Sequence, residues 1–182
     1  MSAVTFGSPA LPINGNRSQD WDGYLAWTDE PGLVTGFYQP PSGFLFAGKA
    51  RATRAAASGA TLSAKLRVQT AGAGLTGVYV AIYRASDNAQ LAVSVDQSVT
   101  FNAATGTVSV PLPVAVSIGL GDYIYLSILC VGTTTPNFND HVGSVAINIV
   151  STYRGYATGL TTPPATLPTL NVNDRSIWMA IL

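Results

Sequence analysis

Three residue types that often carry catalysis or metal binding occur once each in this chain, as His141, Glu30 and Cys130. A zinc centre takes three or four ligands, so one histidine and one cysteine cannot make a His/Cys cluster. Cys130 and His141 could in principle form a thiolate–imidazolium pair. However, Cys130 lies in the apolar run 124–131, where a buried structural thiol is expected, and His141 lies in a polar stretch read as a loop. A lone cysteine also excludes an intrachain disulfide. A Ser–His–Asp arrangement is not excluded by counting, but no G-x-S-x-G elbow occurs. Asp20 and Asp22 are the nearest carboxylate pair and would be the first candidates for glycoside hydrolysis. Their setting, Asn14 to Gly23, has some likeness to a calcium loop but lacks the fifth-position ligand and the closing glutamate. An Asx-rich turn is the reading preferred. The glycines at 72–77 lack the lysine of a phosphate-binding loop and connect strand to strand.

Binding demands less chemistry. Trp21, Tyr24, Trp27 and Tyr38, with Asp20, Asp22 and Asp29, could stack on and hydrogen-bond a sugar. The commoner use of such aromatics is burial, and here they are expected to anchor an N-terminal arm. The glycan or partner contact residues considered are therefore Trp21, Tyr24, Trp27, Asp20 and Asp22. No catalytic, cofactor-binding or metal-binding residue is assigned, and no cofactor is expected.

The elements that must position these residues follow from period and punctuation. Residues 1–43 carry five prolines with scattered glycine and asparagine, which argues against long regular elements. Their three aromatics among residues 21–27 argue against plain disorder. They read as an extended docking arm, and residues 44–182 as one β-sandwich domain. Residues 61–70 alternate strictly, with Leu62, Ala64, Leu66 and Val68 opposite Ser63, Lys65, Arg67 and Gln69, which predicts a half-buried antiparallel strand. Residues 78–85 are apolar on both faces, so that strand is central or lies under a subunit contact. Further strands are expected over 91–95, 107–112 (ended by Pro111 and Pro113), 122–131, 144–150 and 177–182. Residues 133–140 read as a polar loop and 154–175 as an irregular excursion. The alanine-rich 49–57 is read as a strand continuing an alternation from Phe44. Short strands with turns every 8–12 residues predict an all-β, antiparallel sandwich of jelly-roll or Greek-key type.

Of the 182 residues, 47% are hydrophobic and only 10% charged, and the net charge is zero. Ordinary soluble domains carry about 25% charged residues. Such a surface is poorly defended against association, so assembly is favoured over a merely neutral polar coat. Zero net charge gives no long-range pull on nucleic acid or anionic membrane. Acidic residues gather at Asp20, Asp22, Asp29 and Glu30, and basic ones at Lys49, Arg51, Arg54, Lys65 and Arg67, so one subunit's acidic segment could meet another's basic one. No secretory signal or membrane-spanning run is read in the sequence, which predicts synthesis in the cytoplasm and no membrane insertion.

The succession GLTGVYVAIYRAS, QLAVSVDQS, GTVSVPLPVAVSIGLGDYIYLSILCVG, a Thr/Pro-rich stretch and a closing IWMAIL resembles accessory structural proteins of tailed, especially actinobacterial, bacteriophages: minor tail proteins and head-decoration or fibre domains. The resemblance implies a non-enzymatic virion subunit, commonly trimeric, that docks on capsid or tail proteins and can contact a host-surface glycan. Residues 118–125 also look like the turn into a core strand of many sandwiches. That likeness would put Tyr123 in the role of a tyrosine whose hydroxyl bonds back to the backbone.

Overall fold

The computed structural model describes residues 24–29, 34–57, 59–142 and 154–182. The chain forms two antiparallel sheets packed face to face, the expected all-β sandwich. In chain order the strands are β1 (Ala26–Trp27), β2 (Gly36–Tyr38), β3 (Phe44–Arg51), β4 (Thr61–Thr70), β5 (Ala73–Arg84), β6 (Gln90–Val93), β7 (Gly106–Ala115), β8 (Tyr123–Thr134), β9 (Asn137–Val142), β10 (Arg154–Ala157), β11 (Asn171–Val172), β12 (Arg175–Ile177) and β13 (Met179–Ile181), with a one-turn helix α1 (Ser98–Phe101) after β6. A seven-stranded sheet runs β1-β13-β4-β9-β12, with β7 also on β4 and β2 also on β9; a six-stranded sheet runs β11-β10-β3-β8-β5-β6.

Alternation places the core. Leu62, Ala64, Leu66 and Val68 of β4 are all buried and meet Phe46, Val78, Val80, Ile82, Ile124, Leu126 and Ile128 from the opposite sheet. The residues between them on β4, from Ser63 to Gln69, face away from that core, as the period of two requires.

The double-sided apolar strands have a different explanation from a subunit contact. A second core lies on the outer side of the six-stranded sheet. There Leu45, Ala47, Ala81, Tyr83, Tyr125 and Leu129 are buried together with Ala157, Leu167 and Leu170. Residues 158–170 cross this face as an ordered strap. They are pinned by Leu160 N–H to Gly43 O (3.1 Å), Leu167 N–H to Asn88 O (2.8 Å) and Gln90 N–H to Ala165 O (2.9 Å). The Thr/Pro-rich excursion therefore covers the chain's own sheet, and β10 extends that sheet by pairing with β3.

Three expectations are corrected. The stretch 133–140 is not one loop, because β9 begins at Asn137 and sends Phe138 and Asp140 inward. One of those two inward residues is charged, which hid the alternation. Strand β7 does not end at Leu112 between Pro111 and Pro113 but continues to Ala115. Among the described residues it is laddered only to β4, so a proline nitrogen on its other side leaves no ladder bond unmade there. The strand from Phe44 stops at Arg51, and residues 52–57 run on without regular structure. The expected strand over 144–150 lies outside the described residues.

The N-terminal residues that are described pack on the sandwich. β1 pairs with β13 (Ala26 opposite Ile181, Trp27 opposite Ala180), and β2 pairs with β9. At Trp178, where β12 and β13 part, Thr28 fills the gap. Its hydroxyl accepts Met179 N–H at 3.0 Å and donates to Ile177 O at 3.0 Å.

Candidate functional site

Of the contact residues read from the sequence, Trp21, Asp20 and Asp22 lie outside the described residues. Tyr24 and Trp27 are both half-buried. Tyr24 meets Trp178 edge-on, with centroids 6.0 Å apart and planes at 81°. Trp27 sits opposite Ala180, which in turn lies opposite Lys65, and Lys65 opposite Ser109. This row crosses the outer face of the seven-stranded sheet. Asp29 and Tyr38 are placed elsewhere. Asp29 Oδ1 lies 3.1 Å from His141 Nδ1. Tyr38 packs edge-on against Phe46 and lies beneath the Arg175 guanidinium, 5.1 Å from its centroid. Among the described residues, Tyr24 and Trp27 thus lie beside β13, while Tyr38 packs on the core side at Phe46.

Cys130 and His141 are not brought together. Cys130 is fully buried in the inter-sheet core, and desolvation pushes its thiol far above the ordinary range, so it stays protonated and unreactive. The His141 side chain is 24% exposed beside Asp29. Among the described residues no three His, Cys, Asp or Glu side chains gather to hold a metal ion, and no helix is long and apolar enough to cross a membrane.

A polar cluster that the sequence did not announce lies at the edge of the core. Asp140 is completely buried and receives the Arg175 guanidinium at 2.7 Å on Oδ2. Its other oxygen, Oδ1, has no hydrogen-bond partner. Gly36 lies directly against it, and a Cβ there would stand 2.4 Å from Oδ1. The bond to Asp140 holds the Arg175 proton more tightly than usual, while burial lifts the Tyr38 hydroxyl. This cluster ties β2, β9 and β12 together.

The basic stretch is split by the fold. Lys65 and Arg67 lie on β4 in one sheet, and Lys49 and Arg51 on β3 in the other. Lys49 lines a cleft of about 340 Å³ at the end of the sandwich. Two connections form its walls: the β5–β6 turn with Arg84, Ala85 and Ser86, and the β7–β8 loop from Ser117 to Asp122. Leu91, Ile118 and Ile124 make its apolar floor. Each wall is locally fixed. Asn88 takes φ 60° in the first turn, and Asp87 Oδ1 accepts Ala89 N–H at 3.1 Å. In the loop, Asp122 Oδ2 accepts Gly119 N–H at 2.7 Å, and Gly121 takes φ 89°, a conformation suited to glycine. Lys49 Nζ stands 5.5 Å from the Tyr123 centroid and 5.7 Å from that of Tyr125. Tyr123 is 50% exposed. It does not take the back-bonding role. A tyrosine whose hydroxyl does reach the backbone is Tyr83, bonded to Pro164 O at 3.0 Å.

No known family model matches this chain, and no curated protein matches it in sequence.

Proposed function

We propose that this chain is a non-catalytic structural subunit of a tailed-phage virion, placed on the capsid surface as a decoration or on the tail as a minor protein. The observation that carries the reading is the surface. In a chain only 10% charged, large apolar side chains stand in solvent on separate connections. Val99 is 85% exposed, Leu120 72% and Val95 62%. Exposed apolar groups with so little charge around them favour burial against a partner. A rigid sandwich whose termini-proximal strands are laddered into the sheet suits a particle subunit. So does the β7 edge, whose prolines discourage indiscriminate strand pairing.

Light scattering of the purified chain tests self-assembly, with a closed trimer as the expected state. Co-sedimentation with purified heads and tails tests docking. Val95→Asp and Val99→Asp are expected to weaken assembly or docking while leaving the melting temperature unchanged. A monomer that sediments with neither particle, and that the two substitutions leave unaltered, overturns the reading.

A further inference from the structure

We propose that the cleft between the β5–β6 turn and the β7–β8 loop binds a neutral sugar, one pyranose unit held by its hydroxyls over an apolar floor. This goes beyond a virion role and does not depend on it.

The volume, about 340 Å³, is at the lower end of the usual small-molecule range of roughly 300–1,000 Å³ and admits a single ring with its substituents. A pyranose is two-sided, with C–H groups on its faces and hydroxyls around its rim. The lining is divided in the same way. Leu91, Ile118 and Ile124 make the floor, and Ile118 and Ile124 belong to the core between the sheets. Core packing holds both in place, so the floor is formed before any ligand arrives. Tyr123 is half exposed and adds an aromatic edge.

The walls supply hydrogen-bonding groups that the fold does not use. Ser86 and Ser117 are exposed on opposite walls, and neither hydroxyl has a partner among the described residues. Each can donate one hydrogen bond and accept two. Asp122 accepts the Gly119 N–H at 2.7 Å on Oδ2, which orients the carboxylate and leaves Oδ1 to accept from a sugar hydroxyl. A hydroxylated ring satisfies all three groups, whereas an apolar ring would strip them of water and return nothing.

Charge does not select an ion. The Arg84 guanidinium is met by Asp87 at 2.8 Å. The other charged side chains of the lining are Lys49 and Asp122, one of each sign. The lining therefore carries no excess charge, and a neutral ligand suits it.

The test is an amide chemical-shift titration of the full chain with the methyl glycosides of glucose, galactose and mannose, alongside methyl β-D-glucuronide and cyclohexanol. For at least one of the three neutral glycosides, saturable shifts within residues 84–91 and 117–124 are expected. The glucuronide should bind no more tightly. Cyclohexanol should bind at least roughly tenfold more weakly, the scale of the hydrogen bonds it lacks. Tyr123→Ala, and Ser86→Ala combined with Ser117→Ala, should each weaken the sugar roughly threefold to tenfold. All three side chains are exposed, so these variants keep the fold. Trp27→Ala, on the other sheet, should change nothing. The proposal is overturned if none of the three glycosides moves the cleft amides. It is overturned also if cyclohexanol binds as well as they do, which marks an unselective apolar pocket, or if the glucuronide binds more tightly, which marks an anion site. Unchanged affinity in both the tyrosine and the serine variants overturns it as well.

Discussion

Tyr83 and Pro164, 81 positions apart, are joined by a 3.0 Å hydrogen bond from the phenol to the proline carbonyl. The same carbonyl accepts Gln90 Nε2 at 3.1 Å. Burial raises the phenol pKa above its ordinary value, which favours the protonated, donating form. This pairing closes the strap over the outer face of the six-stranded sheet. Tyr83→Phe removes one of the two donors and should cost about 1 kcal/mol. Tyr83→Ala also empties a buried site and should cost about 3–5 kcal/mol. Urea denaturation reads both. Proteolysis within 158–170 should accelerate in each variant before global unfolding does.

The Asp140–Arg175 pair predicts an asymmetric response. Removing the cation by Arg175→Met leaves a wholly buried carboxylate with neither oxygen paired to a charge. Breaking such a pair from one side costs about 3–5 kcal/mol when both partners are buried. Arg175 is 35% exposed, so the lower end is expected. Asp140→Asn combined with Arg175→Met should recover much of that loss. Thermal melts of the two single variants and the double variant form the cycle that checks it.

Thr28 predicts how strongly the first strand is held. Its hydroxyl both donates to Ile177 O and accepts from Met179 N–H within the buried sheet. Thr28→Val keeps the shape and orphans both groups, at a cost of about 1–3 kcal/mol. Deleting residues 1–43 removes β1, β2 and Thr28 together. The truncated chain should therefore lose the cooperative unfolding transition by circular dichroism.

Asp96 gives a pH dependence of definite sign. Partial burial pushes its carboxyl up, but Val78 N–H (2.9 Å) and the Ser98 N–H (2.9 Å) and hydroxyl (3.0 Å) outweigh that effect. The folded pKa therefore lies below the ordinary aspartate value of 3.8. A depressed carboxylate stabilises above its unfolded pKa, and that contribution disappears as pH falls through the folded value. Asp96→Asn should therefore be less stable than the parent near pH 7. The gap should close as pH drops below 3.8, measured by urea midpoints across the range.

The sandwich was legible because β4 alternates without exception and the turns around it carry Gly, Asn and Asp. Cys130 was legible as a core thiol from its apolar neighbours. Other features were hidden for physical reasons. A buried aspartate, Asp140, interrupts the apolar rhythm of β9 and makes a strand look like a loop. The strap over Tyr83 holds its place through backbone groups of Leu160, Ala165 and Leu167, which leave no side-chain period. The cleft was invisible because Lys49, Ser86, Ser117 and Tyr123 come from three separate segments and share no spacing. Asp29 and His141, 112 positions apart, met only through pairing of the first strands with the sheet.

The pairing of β1 with β13 also sets how the molecule bears load. Ala26 lies opposite Ile181 and Trp27 opposite Ala180, so the entry to β1 and the exit from β13 leave the sheet at the same end. A pull applied between Tyr24 and Leu182 then meets the ladder bonds one at a time and peels the strands apart. A pull applied at Leu182 against an anchor on β7 loads β4 and its neighbours across several strands at once. The same domain is thus a weak link when stretched through its two ends and a stiff one when gripped by its sheet.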